Sequence, residues 1–249
     1  VTGAIVLGAN GGVFALGGAS FHGSLAGYDV VGTPVALSRT PSGAGYVSVT
    51  DRGAVYTFGD APFAGSLAGI RLRSPIVDVE ITPSGKGYWL VGADGGVFAF
   101  GDAPYLGSLA LLTLNAPVVD IFGTANGRGY TLIAGDGGVF TLGNAVFAGS
   151  LSHLTLNAPV VDAFVSDSGR GYTLIGADGG AFAVGDAQYF GSLGGRVPAV
   201  EVVAAVDQDG TGYLVLGADG TLHPFGVAPP AVTSALTGVL ARSGPVDVG

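Results

Sequence analysis

The dipeptide Gly-Ser recurs at Gly23, Gly65, Gly107, Gly149 and Gly191, each 42 residues after the last. The tyrosine of Gly-Tyr recurs in step at Tyr46, Tyr88, Tyr130, Tyr172 and Tyr213, the final interval being one residue shorter. A fixed period of this size confines a chain to solenoids, propellers or arrays, in which each copy buries its apolar face against the next.

Within one period the residues read as strands. "PIVDVEI" is an apolar run after a proline, strand A. "TPSGKG" is a turn, and "GYWLV" is strand B, with Tyr88 and Leu90 on one face and Trp89 and Val91 on the other. "GADGG" places Asp-Gly between two apolar runs, a strong hairpin signal because glycine accepts positive φ. "VFAF" is strand C, and "GDAP" turns into a short strand D at "YLGS". No stretch of helical length carries a 3.6-residue period. Four antiparallel strands in about 42 residues make a propeller blade.

Complete units run over 45–86, 87–128, 129–170 and 171–211, and the flanks hold two more. The N-terminal piece starts at strand B, whereas the C-terminal piece ends with a spare strand A, "GPVDVG". Pairing the two would remove exposed strand edges. The expectation is a single all-β domain over 1–249, a six-bladed β-propeller of four-stranded blades. Blade 1 takes 1–27 plus 244–249, and blades 2 to 6 begin near 33, 75, 117, 159 and 198. Phe14, Tyr56, Phe98, Phe140, Phe182 and His223 share one strand-C position, expected between blades.

Composition excludes some partners. Forty-seven glycines, 48% hydrophobic and only 11% charged residues suit short strands and tight turns rather than disorder. A formal charge of −9 with no basic stripe makes nucleic acid a poor partner. Gly, Asp and Pro interrupt every apolar run before membrane-helix length, so no membrane insertion is expected. No signal peptide is visible, and the start in mid-repeat is read as that of a mature or trimmed product. With no cysteine, disulfide and thiolate chemistry are absent.

The segment Gly87–Ser108, "GYWLVGADGGVFAFGDAPYLGS", together with "LNAPVVD" at Leu114–Asp120 and Leu156–Asp162, resembles the tandem GYWLV-x-x-DGG-V-F-x-FGDA-x-F-x-GS repeats of secreted and cell-wall-associated actinobacterial proteins. The likeness covers essentially the whole chain, with about a dozen positions in register. It implies export and a propeller-like accessory region, and it carries over no catalytic residue. One departure stands out: Asp78, Asp120 and Asp162 occupy a strand-A position where the pattern leads one to expect a small residue.

Those acids are the first candidate site. Glu201 and Asp247 align with them if small gaps are allowed, and Ala36 breaks the set. On an innermost strand they would ring a central channel, where clustered carboxylates invite a cation such as Ca²⁺. The alternative is that each accepts backbone N–H groups from the neighbouring blade. Asp94, Asp136, Asp178 and Asp219 in the B–C turns, and Asp60, Asp102 and Asp186 in "GDA", read as turn residues. The three histidines, His22, His153 and His223, hold three different repeat positions, and Lys86, Arg128 and Arg170 occupy equivalent A–B turns.

The D-to-A connections vary most, and loops on a rigid scaffold commonly carry binding. Tyr28, Arg71, Arg73, His153 and Arg196 are the candidate ligand-binding residues there, with Asp29 and Arg242 also polar members. Leu111, Leu112, Leu114, Leu154 and Leu156 would form an apolar patch or pack on the blade beneath. The expected role is a non-catalytic extracellular or cell-wall binding or scaffold module whose partner is a cell-surface glycan or protein. In a lectin-like version Phe63, Tyr105, Phe147 or Tyr189 stacks on a sugar, unless these rings are buried strand-D residues. The alternatives are a subunit that self-assembles into a filament or array, and a glycosidase-like hydrolase using two acids at the channel mouth.

Overall fold

A computed structural model describes residues 4–194, 203–206, 212–217, 221–226 and 247–248. Every regular element among them is a strand, and the strands form six three-stranded antiparallel sheets. Sheet 1 joins β1 (Ile5–Leu7) and β2 (Val13–Ala15) to β18 (Asp247–Val248). Sheet 2 is β3 (Pro34–Arg39), β4 (Gly45–Thr50) and β5 (Val55–Gly59). Sheet 3 is β6 (Ile76–Ile81), β7 (Tyr88–Gly92) and β8 (Val97–Phe100). Sheet 4 is β9 (Val118–Gly123), β10 (Gly129–Ala134) and β11 (Val139–Gly143). Sheet 5 is β12 (Val160–Val165), β13 (Tyr172–Gly176) and β14 (Ala181–Val184). Sheet 6 is β15 (Val203–Val206), β16 (Gly212–Leu216) and β17 (Leu222–Gly226).

The sequence predicts four strands per unit, and among the described residues each sheet has three. The segment after strand C forms no ladder because its polar backbone groups are used elsewhere. The N–H of Ala64 donates to the Tyr88 hydroxyl at 3.1 Å, and that hydroxyl donates in turn to the Gly65 carbonyl. Tyr130 does the same for Leu106 and Gly107, and Tyr172 for Ala148 and Gly149. Each segment is therefore held by the central strand of the following sheet. Its Gly-Ser glycine shows why the pair repeats: Gly65 has φ +146°, and a Cβ there would stand 2.4 Å from the Phe100 ring of the next sheet.

Neighbouring sheets share their cores. Val47, Val49 and Leu67 of one unit pack with Ile76, Val79, Tyr88 and Leu90 of the next, and Trp89, Val91 and Leu109 pack with Val118, Ile121, Tyr130 and Leu132. Central strands β4, β7, β10, β13 and β16 are buried from end to end, since both faces are covered. Phe98, Phe140 and Phe182 are partly buried against these shared cores. The first strand of each sheet contacts its counterparts in series: β18 meets β3, then β6, β9, β12 and β15 follow, and β15 meets β18. In sheet 1, Val6 lies opposite Val248 and Leu7 opposite Asp247.

Candidate functional site

The inner acids are placed by a recurring irregularity. The ladder register slips around Val35, Val77, Val119 and Val161, one residue before Ala36, Asp78, Asp120 and Asp162. Such a bulge bends the strand and re-aims the side chain that follows. Asp78 Oδ2 accepts the N–H of Ile121 in the next sheet at 2.9 Å, and Asp120 Oδ2 accepts that of Ala163 at 2.7 Å. Asp78 Oδ1 also accepts Val79 N–H at 2.7 Å, and Asp162 Oδ1 accepts Ala163 N–H at 2.8 Å. Adjacent first strands belong to separate sheets, so these amides lack a ladder partner, and the carboxylates supply one.

Two residues further along, Glu80 repeats the arrangement. Its Oε1 accepts Gly123 N–H at 3.0 Å and its Oε2 accepts the Ser38 hydroxyl at 3.3 Å, while Ser38 Oγ accepts Ile81 N–H at 3.1 Å. Burial pushes the Glu80 carboxyl up to about 7, opposed by the Gly123 amide and reinforced by the nearby charge of Asp120. Burial likewise raises Asp120 to about 6, opposed by hydrogen bonds from Asp78 and from the Ala163 and Ile121 amides. Among the described residues no three His, Cys, Asp or Glu side chains converge to hold a metal ion. Glu201 lies outside the described residues, and Asp247 is described only in its backbone.

The turn acids divide. Asp94, Asp136 and Asp178 accept the N–H of Gly96, Gly138 and Gly180 at 2.9–3.0 Å, as turn residues do. Asp60, Asp102 and Asp186 do not merely close their own turns. Asp102 accepts the hydroxyls of Thr82 (2.9 Å) and Ser84 (2.5 Å) on the A–B turn, and Asp60 and Asp186 repeat this with Thr40 and Ser42, and Ser166 and Ser168. These hydroxyls hold Asp60 and Asp186 below the usual carboxylate range.

The candidate loop residues are dispersed. Arg71 and Arg73 line one cleft, together with Arg52 of the β4–β5 turn. Tyr28 is 74% exposed on the preceding connection, and His153 is exposed on the connection after sheet 4. Arg196, Arg242 and Asp219 lie outside the described residues. Leu114 and Leu156 pack on the cores beneath them, whereas Leu111, Leu112 and Leu154 stay exposed.

The clearest surface feature is aromatic. Phe63, Tyr105, Phe147 and Tyr189 are not buried strand-D residues: they are 59–63% exposed, and Phe21 makes a fifth at 59%. All five fall at one repeat position, 42 residues apart. The segment that carries them turns its glycine towards the next sheet, which leaves the aromatic facing solvent. Near Tyr189, a groove of about 250 Å³ between sheets 5 and 6 is lined by Phe164, Phe190, Tyr213, Asp186 and Gln188. Sequence reading overlooks Phe21, Arg52 and Glu80. Strict superposition of the repeats would have found the first two, whereas Glu80 matches the uncharged Ser38, Phe122, Phe164 and Ala205 in other sheets.

No protein-family model matches the chain, and no curated protein matches it. Among solved structures, it is similar to the crystal structure of the β-propeller domain of Cps50 (Swd1) from Myceliophteria thermophila. That likeness has a TM-score of 0.59 at 12% identity, covering 95% of this chain and 82% of that one. With six antiparallel sheets whose first strands adjoin in series, this likeness identifies the fold as a β-propeller.

Proposed function

We propose that this chain is a non-catalytic binding module, a six-bladed propeller closed by residues 247–248, that works outside the cell and holds a carbohydrate polymer against its aromatic rim. The observation that carries the reading is the set of five equally spaced aromatics, each more than half exposed. A large ring kept exposed at the same position of five consecutive repeats is a regular feature of the surface rather than a residue scattered singly. Flat apolar faces suit the C–H faces of sugars, and sites repeated around a rigid ring favour a repeating ligand through effective concentration. A non-catalytic role is supported by the inner carboxylates: both oxygens of Asp78, and one each of Asp120 and Asp162, accept backbone amides.

Affinity electrophoresis through gels containing soluble polysaccharides tests this directly. The native chain is expected to be retarded by at least one polysaccharide. A variant with Phe21, Phe63, Tyr105, Phe147 and Tyr189 all changed to serine is expected to run freely at an unchanged melting temperature. Free migration of the native chain across the whole panel, or equal retardation of the variant, would remove the carbohydrate reading. A second reading, self-assembly into an array, is favoured by Leu111 and Leu112, 95% and 61% exposed on one connection. Light scattering separates the two: a 24.4 kDa particle speaks for the monomeric module and multiples of it for the array.

A further inference from the structure

Repetition provides an internal control for function, because residues that serve only the fold should be the same in every sheet. The cleft between the β4–β5 turn and the connection 69–75 breaks that rule. It encloses about 510 Å³ and is lined by Arg52, Arg71 and Arg73, with Val31, Ile70, Leu72 and Pro75 as its apolar wall. One repeat further on, the equivalent cleft of about 270 Å³ has Asp94, Leu112, Leu114, Asn115 and Pro117 in the matching places, and its one arginine is Arg73, which the two clefts share. Position 52 is Asn10, Asp94, Asp136 or Asp178 in the other described copies, each of which accepts a turn N–H. Arg52 gives up that turn bond and reverses the charge. The chain has only nine Lys and Arg in all against a formal charge of −9, and three of the nine line this cleft.

We propose that this cleft is a binding site for a small ligand that carries an oxyanion (phosphate, sulfate or carboxylate) on an apolar or flat body. Guanidinium groups present forks of N–H donors that match such oxyanions and bind them in pairs. Arg73 lines both clefts: its Nη1 donates to the Ala110 carbonyl of the next one at 3.0 Å, which fixes the side chain at the shared wall and leaves further donors for a ligand. Asp51, the acid that also lines the cleft, has Oδ1 engaged by Thr33 N–H at 2.8 Å. The volume lies in the usual range for small-molecule sites, and the wall of Val31, Ile70 and Leu72 accounts for the apolar part of the ligand. This site is distinct from the aromatic rim. Phe63 follows β5, whereas the cleft lies where the β4–β5 turn meets the connection after Leu67, whose N–H donates to Gly53 O.

Calorimetric and amide-shift titrations with phenyl phosphate, phenyl sulfate and benzoate test the proposal, with phenol as the uncharged control. The expected result is saturable binding of at least one anion, with shifts at Arg52, Arg71 and Arg73 and none for phenol. Preference among the three anions identifies the source of the charge. The variant Arg52→Asp/Arg71→Thr/Arg73→Asn installs residues the same backbone carries one repeat later, and it should bind at least tenfold more weakly. Arg71→Thr alone, at an exposed position, is the fallback and should weaken binding several-fold. Absence of saturation for all three anions, equal response to phenol, or undiminished binding by the folded variants would overturn the site.

Discussion

The tyrosine of each Gly-Tyr pair joins two sheets with a single oxygen. The Tyr88 hydroxyl both accepts Ala64 N–H and donates to Gly65 O, while its ring lies fully buried against Phe100, 5.6 Å between centroids. Burial pushes this phenol up, as it does those of Tyr46, Tyr130, Tyr172 and Tyr213. Tyr88→Phe keeps the ring and leaves two backbone groups without a partner, a loss of about 1–3 kcal/mol. Urea unfolding should register it, and a change below about 0.5 kcal/mol would show that the hydroxyl is not a staple. Glu80 behaves differently. Its folded value of about 7 lies above the 4.5 of the free side chain, so folding takes up a proton. The stabilisation is complete below about pH 4.5 and erodes as pH rises to 7, by on the order of 3 kcal/mol. Asp120 adds to the same trend between 3.8 and about 6. Stability is therefore expected to fall between pH 5 and 7, and Glu80→Gln should flatten that fall. A native chain whose unfolding free energy rises across this interval would contradict the placement of the acids.

Between elements, three kinds of contact replace the missing ladder. In sheets 3, 4 and 5 the first strand donates to the preceding B–C turn: Ile76 N–H to Asp51 O and Val118 N–H to Ala93 O at 2.9 Å, and Val160 N–H to Gly135 O at 2.8 Å. The inner carboxylates catch the amides of the following first strand, and the tyrosines hold the segment after strand C. Sheet 1 is the exception. The position matching Tyr46 is Ala4, so the tyrosine staple is absent there. Its first strand is β18, paired with β1 at Val6–Val248 and Leu7–Asp247. Removal of residues 244–249 would strip β1 of that partner and expose its edge. The melting temperature of the truncated chain is expected to fall by more than 10 °C, at about 2–4 °C per kcal/mol for a chain of this size. A melting temperature within 2 °C of the full chain would mean that β18 contributes nothing to sheet 1.

At the scale of the molecule, much of the architecture was legible because its cause is repetition. The 42-residue period, the Asp-Gly turns and the wholly apolar central strands each mark a local preference that the sheets then satisfy. The number of strands per sheet was not legible. "YLGS" has strand-like letters, and only the hydroxyl of a tyrosine some 24 residues later shows where its backbone bonds go. The acids were visible as an oddity of the pattern, but their partners sit 43 residues away, beyond any local signal. Whether the aromatics face in or out is not legible for a similar reason: a ring beside Gly-Ser reads equally as core until the glycine is seen to take the inward place.

The proposed ring, latched where its ends meet, can be tested cleanly because the chain has no cysteine. Val6→Cys/Val248→Cys and Leu7→Cys/Asp247→Cys are adjacent register pairs, so between them they sample both ladder geometries. After mild oxidation, at least one pair should form an intramolecular disulfide, seen as a faster monomer band without reductant and as a raised melting temperature. A Val6→Cys/Thr141→Cys control should form none. Free thiols in both register pairs under the same conditions would contradict the latch and the ring built on it.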